Sequence, residues 1–181
     1  KNHNRSNLAD IRSGEYEGFK DKINLKDWKP DYGSSKFNAK FGCIAIGCRE
    51  FLLAYNINLN TNDKKIATDI ALDIRQKGRL KRDKSRAVIR DERGIAKRVP
   101  GKFKHCKAVG WYIDEYNQAQ VSINLTNYKK TPIHKVFEEV RKQARKRGVR
   151  VTGSEIVGLV PKESIYDAGL FYLKMQKKQL G

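Results

Sequence analysis

The sequence predicts an α+β fold, a ferredoxin-like split β-α-β sandwich with an N-terminal arm and an extra C-terminal helix. Segments with the period-two alternation of half-buried strands, and segments with helical periodicity, follow one another in the order strand, helix, strand, strand, helix, strand. Each intervening helix carries one apolar stripe. We therefore expect a four-stranded antiparallel sheet with helices on one face and the other face open.

The first strand and helix have clear boundaries. Residues 53–60 alternate apolar with polar or small residues and predict a strand, and the apolar run 43–46 before it is expected to pair as a leading strand. Thr61 and Asp63 are N-cap candidates for a helix whose apolar residues recur at helical spacing. Gly78 occupies the position of a C-cap glycine.

The second half of the pattern repeats the first. Residues 108–116 and 119–127 predict two strands joined by a tight turn at Asn117-Gln118. The next helix is expected to begin at Thr131-Pro132, because threonine caps helices and proline suits the first helical position. A last strand is predicted over 149–160.

A terminal helix is predicted from Pro161 onward. Its apolar residues Ile165, Ala168 and Leu173 are expected to face inward. His134, in the first turn of the preceding helix, is interpreted as a surface or capping residue.

Composition excludes several classes of protein. The 181 residues contain no run of 18 apolar residues and no apolar signal segment, so no membrane partner is expected. Three cysteines without paired spacing and three scattered histidines predict neither a disulfide framework nor a metal site, and they favour a cytoplasmic protein. The chain does not begin with Met, so we treat it as a possible fragment.

The net charge of +19 is concentrated in two segments. Residues 77–107 carry 13 basic and 3 acidic residues, and residues 141–150 carry six basic residues and no acidic one. The first segment contains glycines and a proline and has weak periodicity, which predicts a long exposed loop or irregular hairpin. The basicity is therefore a property of one insertion and one helix end.

The open face of the predicted sheet would carry neutral amides and hydroxyls. Its residues would be Asn56, Asn58, Gln120, Ser122 and Asn124. Such side chains offer fixed donors and acceptors suited to a polar heterocycle or another polar surface. Two interpretations stay open: a recognition surface, or a face that is merely Asn-rich or closed by a second domain.

Six stretches, in order and spread over most of the chain, resemble the glutamate formiminotransferase family. They are IRSGEYE (11–17), WKPDYG (28–33), FLLAYNINL (51–59), GWYI (110–113), AQVSINL (119–125) and GSEIVGLVP (153–161). The resemblance implies transfer of the formimino group of N-formimino-glutamate to tetrahydrofolate, the co-substrate, in histidine degradation. It also implies two ferredoxin-like subdomains with folate in a tunnel between them, and a homodimer.

The resemblance assigns parts to this chain. Residues 1–32 would be the tail of the first subdomain and a connecting arm, residues 33–181 the second subdomain, and the polar sheet face a tunnel wall. The family's folate-binding stretches fall on Gly33, Ser34, Ser35, Lys36, Phe37, Asn38, Ala39, Lys40, Phe41 and Gly42, and on Asp73, Ile74 and Arg75. A glycine-bracketed loop lets backbone approach a planar ring, and the phenylalanines and cations could stack on it or pair with glutamate carboxylates. Without the resemblance, the loop reads as a flexible connector and Arg75 as a solvated helix residue.

The family's catalytic histidine has no counterpart here. It belongs to a His-Pro-Arg-Met-Gly type stretch of the first subdomain, and none of His3, His105 and His134 lies in such a context. We therefore expect this chain to be inactive without the missing N-terminal subdomain. The alternative hypothesis is a non-catalytic basic module that binds RNA or a ribonucleoprotein through the two basic segments; no aromatic RNA-binding motif supports it.

Overall fold

The computed structural model describes Arg5 and residues 7–180, and the chain divides into two compact units, Lys1–Cys48 and Arg49–Gly181. The division falls after Cys48, whereas the sequence interpretation begins the second subdomain at Gly33. The boundary between the family's two subdomains stays a prediction.

The first unit is built from short helices and loops. Its elements are α1 (Leu8–Ile11), α2 (Phe19–Lys22) and a 3-10 helix (Lys26–Trp28). Lys22 holds them together, because its Nζ donates to three backbone carbonyls within residues 10–13 at 2.8–3.1 Å. The same ammonium lies 3.7 Å from the centroid of the Trp28 ring.

The predicted leading strand over residues 43–46 is wrong. This segment has no regular structure, and Ile44 and Ile46 are 85% and 94% exposed. The described part of the first unit contains no strand with which it could pair. An apolar run needs such a partner, because an isolated strand leaves its backbone hydrogen bonds to water.

The second unit has the predicted ferredoxin-like α+β fold. Its elements are β1 (Leu53–Leu59), α3 (Lys64–Ile74), β2 (Arg79–Leu80), β3 (Arg98–Val99), β4 (Cys106–Ile113), β5 (Gln118–Leu125), α4 (Ile133–Arg145), β6 (Val151–Val157) and α5 (Lys162–Leu180). The sheet has the order β4-β5-β1-β6, and every neighbouring pair is antiparallel. The two split β-α-β halves therefore interleave, with β1 and β5 in the centre.

The core lies between one face of the sheet and the helices α3 and α4. Residues 53, 55, 57 and 59 of β1 are buried, and so are the apolar residues of β5. The largest fully buried side chains are Leu53, Ile57, Leu59, Ile70, Ile74, Ile123, Leu125, Val121, Val136, Val140 and Cys106. Alternation in the strands and the 3.6-residue period in the helices explain this set.

Helix α3 approaches β4 closely at Gly110. A Cβ on Gly110 would lie 2.2 Å from the backbone nitrogen of Thr68 and 2.3 Å from its Oγ1. The absence of a side chain therefore sets the distance between helix and strand at this point.

The helix starts are partly as expected. Asp63 caps α3, and its side chain accepts from the backbone N–H of Lys65 at 2.8 Å. Helix α4 begins one residue later than predicted, with Pro132 in extended conformation at the N-cap. The Thr131 hydroxyl does not cap it, because that hydroxyl donates to the backbone carbonyl of Lys104 at 2.5 Å.

The basic insertion is an ordered, anchored structure. Lys81, Ile89 and Lys97, each eight residues apart, close a ring of three backbone hydrogen bonds of 2.8–3.0 Å. Asp83 and Asp91 hold the two turns by accepting from backbone N–H groups within each turn. The segment predicted as a long exposed loop or irregular hairpin is therefore a small three-segment β unit in which the same hydrogen-bonded turn occurs twice.

Two predictions about the end of the chain are wrong. In α5, Ile165 and Leu173 are 44% and 56% exposed, and of the residues expected inward Ala168 packs against the core. His134 is buried, not a surface residue, and its ring stacks on Phe171 with centroids 4.5 Å apart. The spacing of apolar residues along α5 correctly indicated an apolar face, but the second unit covers that face only in part.

Candidate functional site

The polar residues identified in the sequence share the open face of the sheet. Strand register places Asn58 opposite Gln120 and Asn56 opposite Ser122, and it places Asn124 opposite Ala54. These residues form three cross-strand rows on the side away from α3 and α4. The sequence prediction that they lie together is confirmed, and their role as a tunnel wall stays a prediction.

A ladder of amides joins three strands of this face. The Nε2 of Gln120 donates to Oδ1 of Asn58 at 2.7 Å, and the Nδ2 of Asn58 donates to Oε1 of Glu155 at 3.1 Å. Gln120 is 3% exposed, so its amide has a fixed orientation. The ladder thus presents Glu155 as an oriented acceptor.

Apolar side chains border the polar centre. Val109 and Trp111 on β4, and Val157 on β6, are each about half exposed. Trp111 lies opposite Gln120 in the register, and the Nζ of Lys64 is 5.6 Å from the centroid of its ring. Apolar and aromatic side chains beside a few fixed polar groups are typical of small-molecule binding sites.

Loop 33–42, in the first unit, is a glycine-bracketed turn held by its own side chains. Gly33 and Gly42 have φ of +84° and +63°. Asn38 Oδ1 accepts from the backbone N–H of Lys40 and of Phe41, each at 3.0 Å. Phe41 is 76% exposed and carries Lys40 near its ring, with Nζ 5.4 Å from the centroid.

An aromatic cluster supports that loop. Phe37 packs against Tyr16 and Phe19, with ring centroids 5.5 and 6.0 Å apart, and the Tyr16 hydroxyl donates to the carbonyl of Ala39. A depression of about 220 Å³ lies beside the cluster, bordered by Tyr16, Phe19 and Phe41 among others. Phe37 is therefore occupied by packing, whereas Phe41 presents a free ring face.

The stretch Asp73-Ile74-Arg75, in the second unit, is bonded within the fold. Asp73 forms ion pairs with Arg79 and Arg147, in which each Nη2 lies 2.5 Å from a carboxylate oxygen of Asp73. Ile74 is fully buried. The Arg75 guanidinium donates to the carbonyls of Gly78 and Ala108 at 3.1 and 3.3 Å. Burial, and then the nearby Arg98, lower the pKa of Arg75. A contact with folate stays a prediction for this stretch.

A depression of about 680 Å³ lies along α4 on the helix side of the second unit, away from the polar face. Its lining includes four basic residues of segment 141–150 and two acidic residues: Arg141, Lys142, Arg145, Lys146, Glu138 and Glu139. Burial opposes ionisation of Glu139, but hydrogen bonds from Lys102 and Gln143 outweigh it and hold its pKa below the usual range. These charges are therefore partly neutralised within the protein.

Sequence reasoning missed Glu155 and Trp111. The signal was present, because residues 153, 155 and 157 alternate with 154 and 156 along β6, but no face was assigned to that strand. Among the described residues, no group of three or more His, Cys, Asp or Glu is arranged to hold a metal ion. Within the same residues, no helix is long and apolar enough to cross a membrane.

Comparison with known proteins identifies the family. A family profile described as "Formiminotransferase domain" matches residues 54–180, and one described as "Formiminotransferase domain, N-terminal subdomain" matches residues 1–49. The chain is 44% identical over 169 residues to a formimidoyltransferase-cyclodeaminase of Dictyostelium discoideum, which covers 93% of this chain and 28% of that protein. It is 36% identical over 172 residues to a glutamate formimidoyltransferase of Streptococcus pyogenes and 39% over 173 residues to one of Thermoplasma acidophilum, covering 95% and 94% of this chain and half of each relative.

The two matched ranges contain nearly all the residues of the six motifs. The chain spans between 28% and 50% of the length of these relatives. It belongs to the formiminotransferase family.

Proposed function

We propose that this chain supplies the folate-binding second half of a glutamate formimidoyltransferase, which transfers the formimino group of N-formimino-glutamate to tetrahydrofolate in histidine degradation. The observation that carries the proposal is the oriented amide ladder Gln120–Asn58–Glu155 on the open sheet face of a member of this family. Neutral, fixed amides suit a polar heterocycle, because they recognise donors and acceptors without a large charge.

The reaction requires a group that is not among the site residues of this chain. A formimino carbon leaves one nitrogen and joins another, so a proton must reach the departing glutamate nitrogen and one must leave the folate nitrogen. The family resemblance assigns this to a histidine of the first subdomain. His134 cannot substitute, since it lies buried against Phe171 on the helix side. The loss of such a group costs about 10²–10⁴-fold in rate.

The proposal is tested by reconstitution. The chain joined to a complete first subdomain should release glutamate from N-formimino-glutamate only when tetrahydrofolate is present. The chain by itself is the matched control and should release none above the uncatalysed rate. Absence of transfer by the reconstituted protein, with both halves folded, would refute the proposal.

The proposed folate contacts include loop 33–42 of the first unit. Loop 33–42 offers the exposed ring of Phe41, and Lys36 and Lys40 offer charges for glutamate carboxylates. The anchored basic insertion would attract folates with a polyglutamate tail through long-range electrostatics. That attraction should weaken as ionic strength rises, because at 0.1 M salt the interaction between exposed charges more than about 10 Å apart is largely screened.

The proposal includes tetrahydrofolate as co-substrate without a metal, a homodimer, and a cytoplasmic location. Sedimentation of the reconstituted protein tests the dimer. The alternative of a basic module that binds RNA gains no support, since the matched families and relatives are formiminotransferases by name.

A further inference from the structure

The three polar rows of the open face contain one carboxylate, Glu155. It is the only acidic side chain among the described strand residues that share this face, which otherwise carries amides, a hydroxyl, apolar margins and Lys107. Strand register places Glu155 directly opposite Asn56, at the edge of the amide ladder. A carboxylate in that position is the strongest acceptor that the face offers.

The ladder occupies one of about four acceptor sites of this carboxylate, so both oxygens can still accept. Oε1 accepts a hydrogen bond from Nδ2 of Asn58, and Oδ1 of Asn58 accepts one from Nε2 of the buried Gln120. Gln120 therefore fixes the orientation of the Asn58 amide, and Asn58 fixes the orientation of the Glu155 carboxylate. Among the described residues no N–H or O–H group donates to Oε2 and no cation lies within ion-pair distance of Glu155. That is unusual in a chain with 39 lysines and arginines, and it leaves an oriented acceptor half-buried and without a counter-ion.

Gly153 keeps the space beside the carboxylate open. In the register Gly153 lies opposite Asn58, in the row next to Glu155. A Cβ built on Gly153 meets no atom within 4 Å, so nothing in the fold requires glycine for packing there. The gap lets a planar group approach both the carboxylate and the amide of Asn58.

We infer that Glu155 is a substrate-binding residue that accepts two parallel N–H bonds from an amidine-like edge, with Asn58 and Gln120 as its positioning residues. The inference rests on the proposed function. A carboxylate matches such an edge because its two oxygens accept bonds side by side. Both proposed substrates present this chemistry: the pterin ring through its N3–H and 2-amino group, and the formimino group as a protonated amidine.

The test compares Michaelis constants in the reconstituted two-subdomain protein. Glu155→Gln keeps the acceptor for Asn58 but removes the charge and the second acceptor oxygen, so the fold is preserved. We expect the KM of one substrate to rise about ten- to hundredfold, as for a lost charge-assisted hydrogen bond, and the KM of the other to change less than twofold. A rise for tetrahydrofolate identifies the pterin edge, and a rise for N-formimino-glutamate identifies the amidine.

Two further variants complete the design. Glu163→Gln, in the first turn of α5, makes the same change of charge away from the open face and should leave both constants unchanged. Gly153→Val fills the gap beside the carboxylate and should raise the same KM as Glu155→Gln, with a thermal midpoint close to that of the parent.

The outcomes separate the two proposals. If the parent protein transfers the formimino group and Glu155→Gln leaves both KM values within twofold, the inference about Glu155 is overturned and the proposed function stands. If the parent protein itself shows no transfer, the proposed function falls, and the inference falls with it.

Discussion

Substitution of Gly110 by alanine should destabilise the second unit by about 3 kcal/mol. The added Cβ would lie 2.2–2.5 Å from the backbone nitrogen, the Oγ1 and the Cα of Thr68, and two of these atoms belong to the backbone of α3. No side-chain rotation relieves such a contact, so the helix must move away from β4. Overpacking in a well-packed core costs about 1–3 kcal/mol, and a backbone contact belongs at the upper end.

Thermal unfolding monitored by circular dichroism measures this effect. For a domain of this size, about 3 kcal/mol lowers Tm by roughly 10 °C. Gly153→Ala is the matched control, because it makes the same chemical change in the same sheet where no atom lies within 4 Å, and it should shift Tm by less than about 2 °C. Removing the Thr68 hydroxyl as well, in Gly110→Ala with Thr68→Ala, should restore only part of the loss. A Tm of Gly110→Ala equal to that of Gly153→Ala would show that this helix and strand are not in fixed contact.

Three other predictions concern titratable groups. Burial, and then the neighbouring Lys135, lower the pKa of His134 in the folded chain, so the unfolded chain binds the proton more readily. The contribution of the neutral imidazole to stability is complete above the ordinary histidine pKa of about 6.5 and is lost as pH falls below that value. His134→Gln should therefore reduce the fall of Tm with pH in the range below about 6.5. An unchanged pH profile of Tm would contradict the burial of the ring. Burial raises the pKa of Cys106 to about 12, so a thiol reagent at pH 8 should modify the exposed Cys43 and Cys48 quickly and Cys106 only after unfolding. Three equal rates would contradict this. Arg75→Ala should weaken folate binding to the reconstituted protein about tenfold, whereas Arg75→Lys should retain most of it; unchanged affinity, measured by titration calorimetry, would remove Arg75 from the site.

The ferredoxin-like fold was predictable because its signals are local. Alternation over residues 53–60 and the helical stripe before Ile74 depend only on which side of one element is buried. The failures involve contacts between elements. Residues 43–46 have the composition of a strand, but the described part of their unit contains no strand with which they could pair. His134 was expected at the surface, but its ring is covered by Phe171 of α5.

The candidate site was predictable in part for the same reason. Asn56, Asn58, Gln120, Ser122 and Asn124 follow from the alternation of two regular strands. Glu155 was missed because β6 does not divide into one apolar and one polar face: Ile156 and Val157 are both apolar, although residues 153, 155 and 157 alternate regularly with 154 and 156.

The insertion shows a similar limit. The sequence indicated a basic segment without strong periodicity. The ring of hydrogen bonds among Lys81, Ile89 and Lys97 depends on backbone groups, whose pairing leaves no mark in side-chain hydrophobicity.

The sequence by itself determined the family, the order of the elements and the polar character of one sheet face, because motif order and alternation are properties of residues near one another in the chain. Only the tertiary structure decided which residues meet across strands: that Gln120 orients Asn58, that Asn58 orients Glu155, and that Asp73 is held between Arg79 and Arg147. Except for the pair Asp73 and Arg79, those contacts join residues far apart in the chain, and strand register and helix packing bring them together.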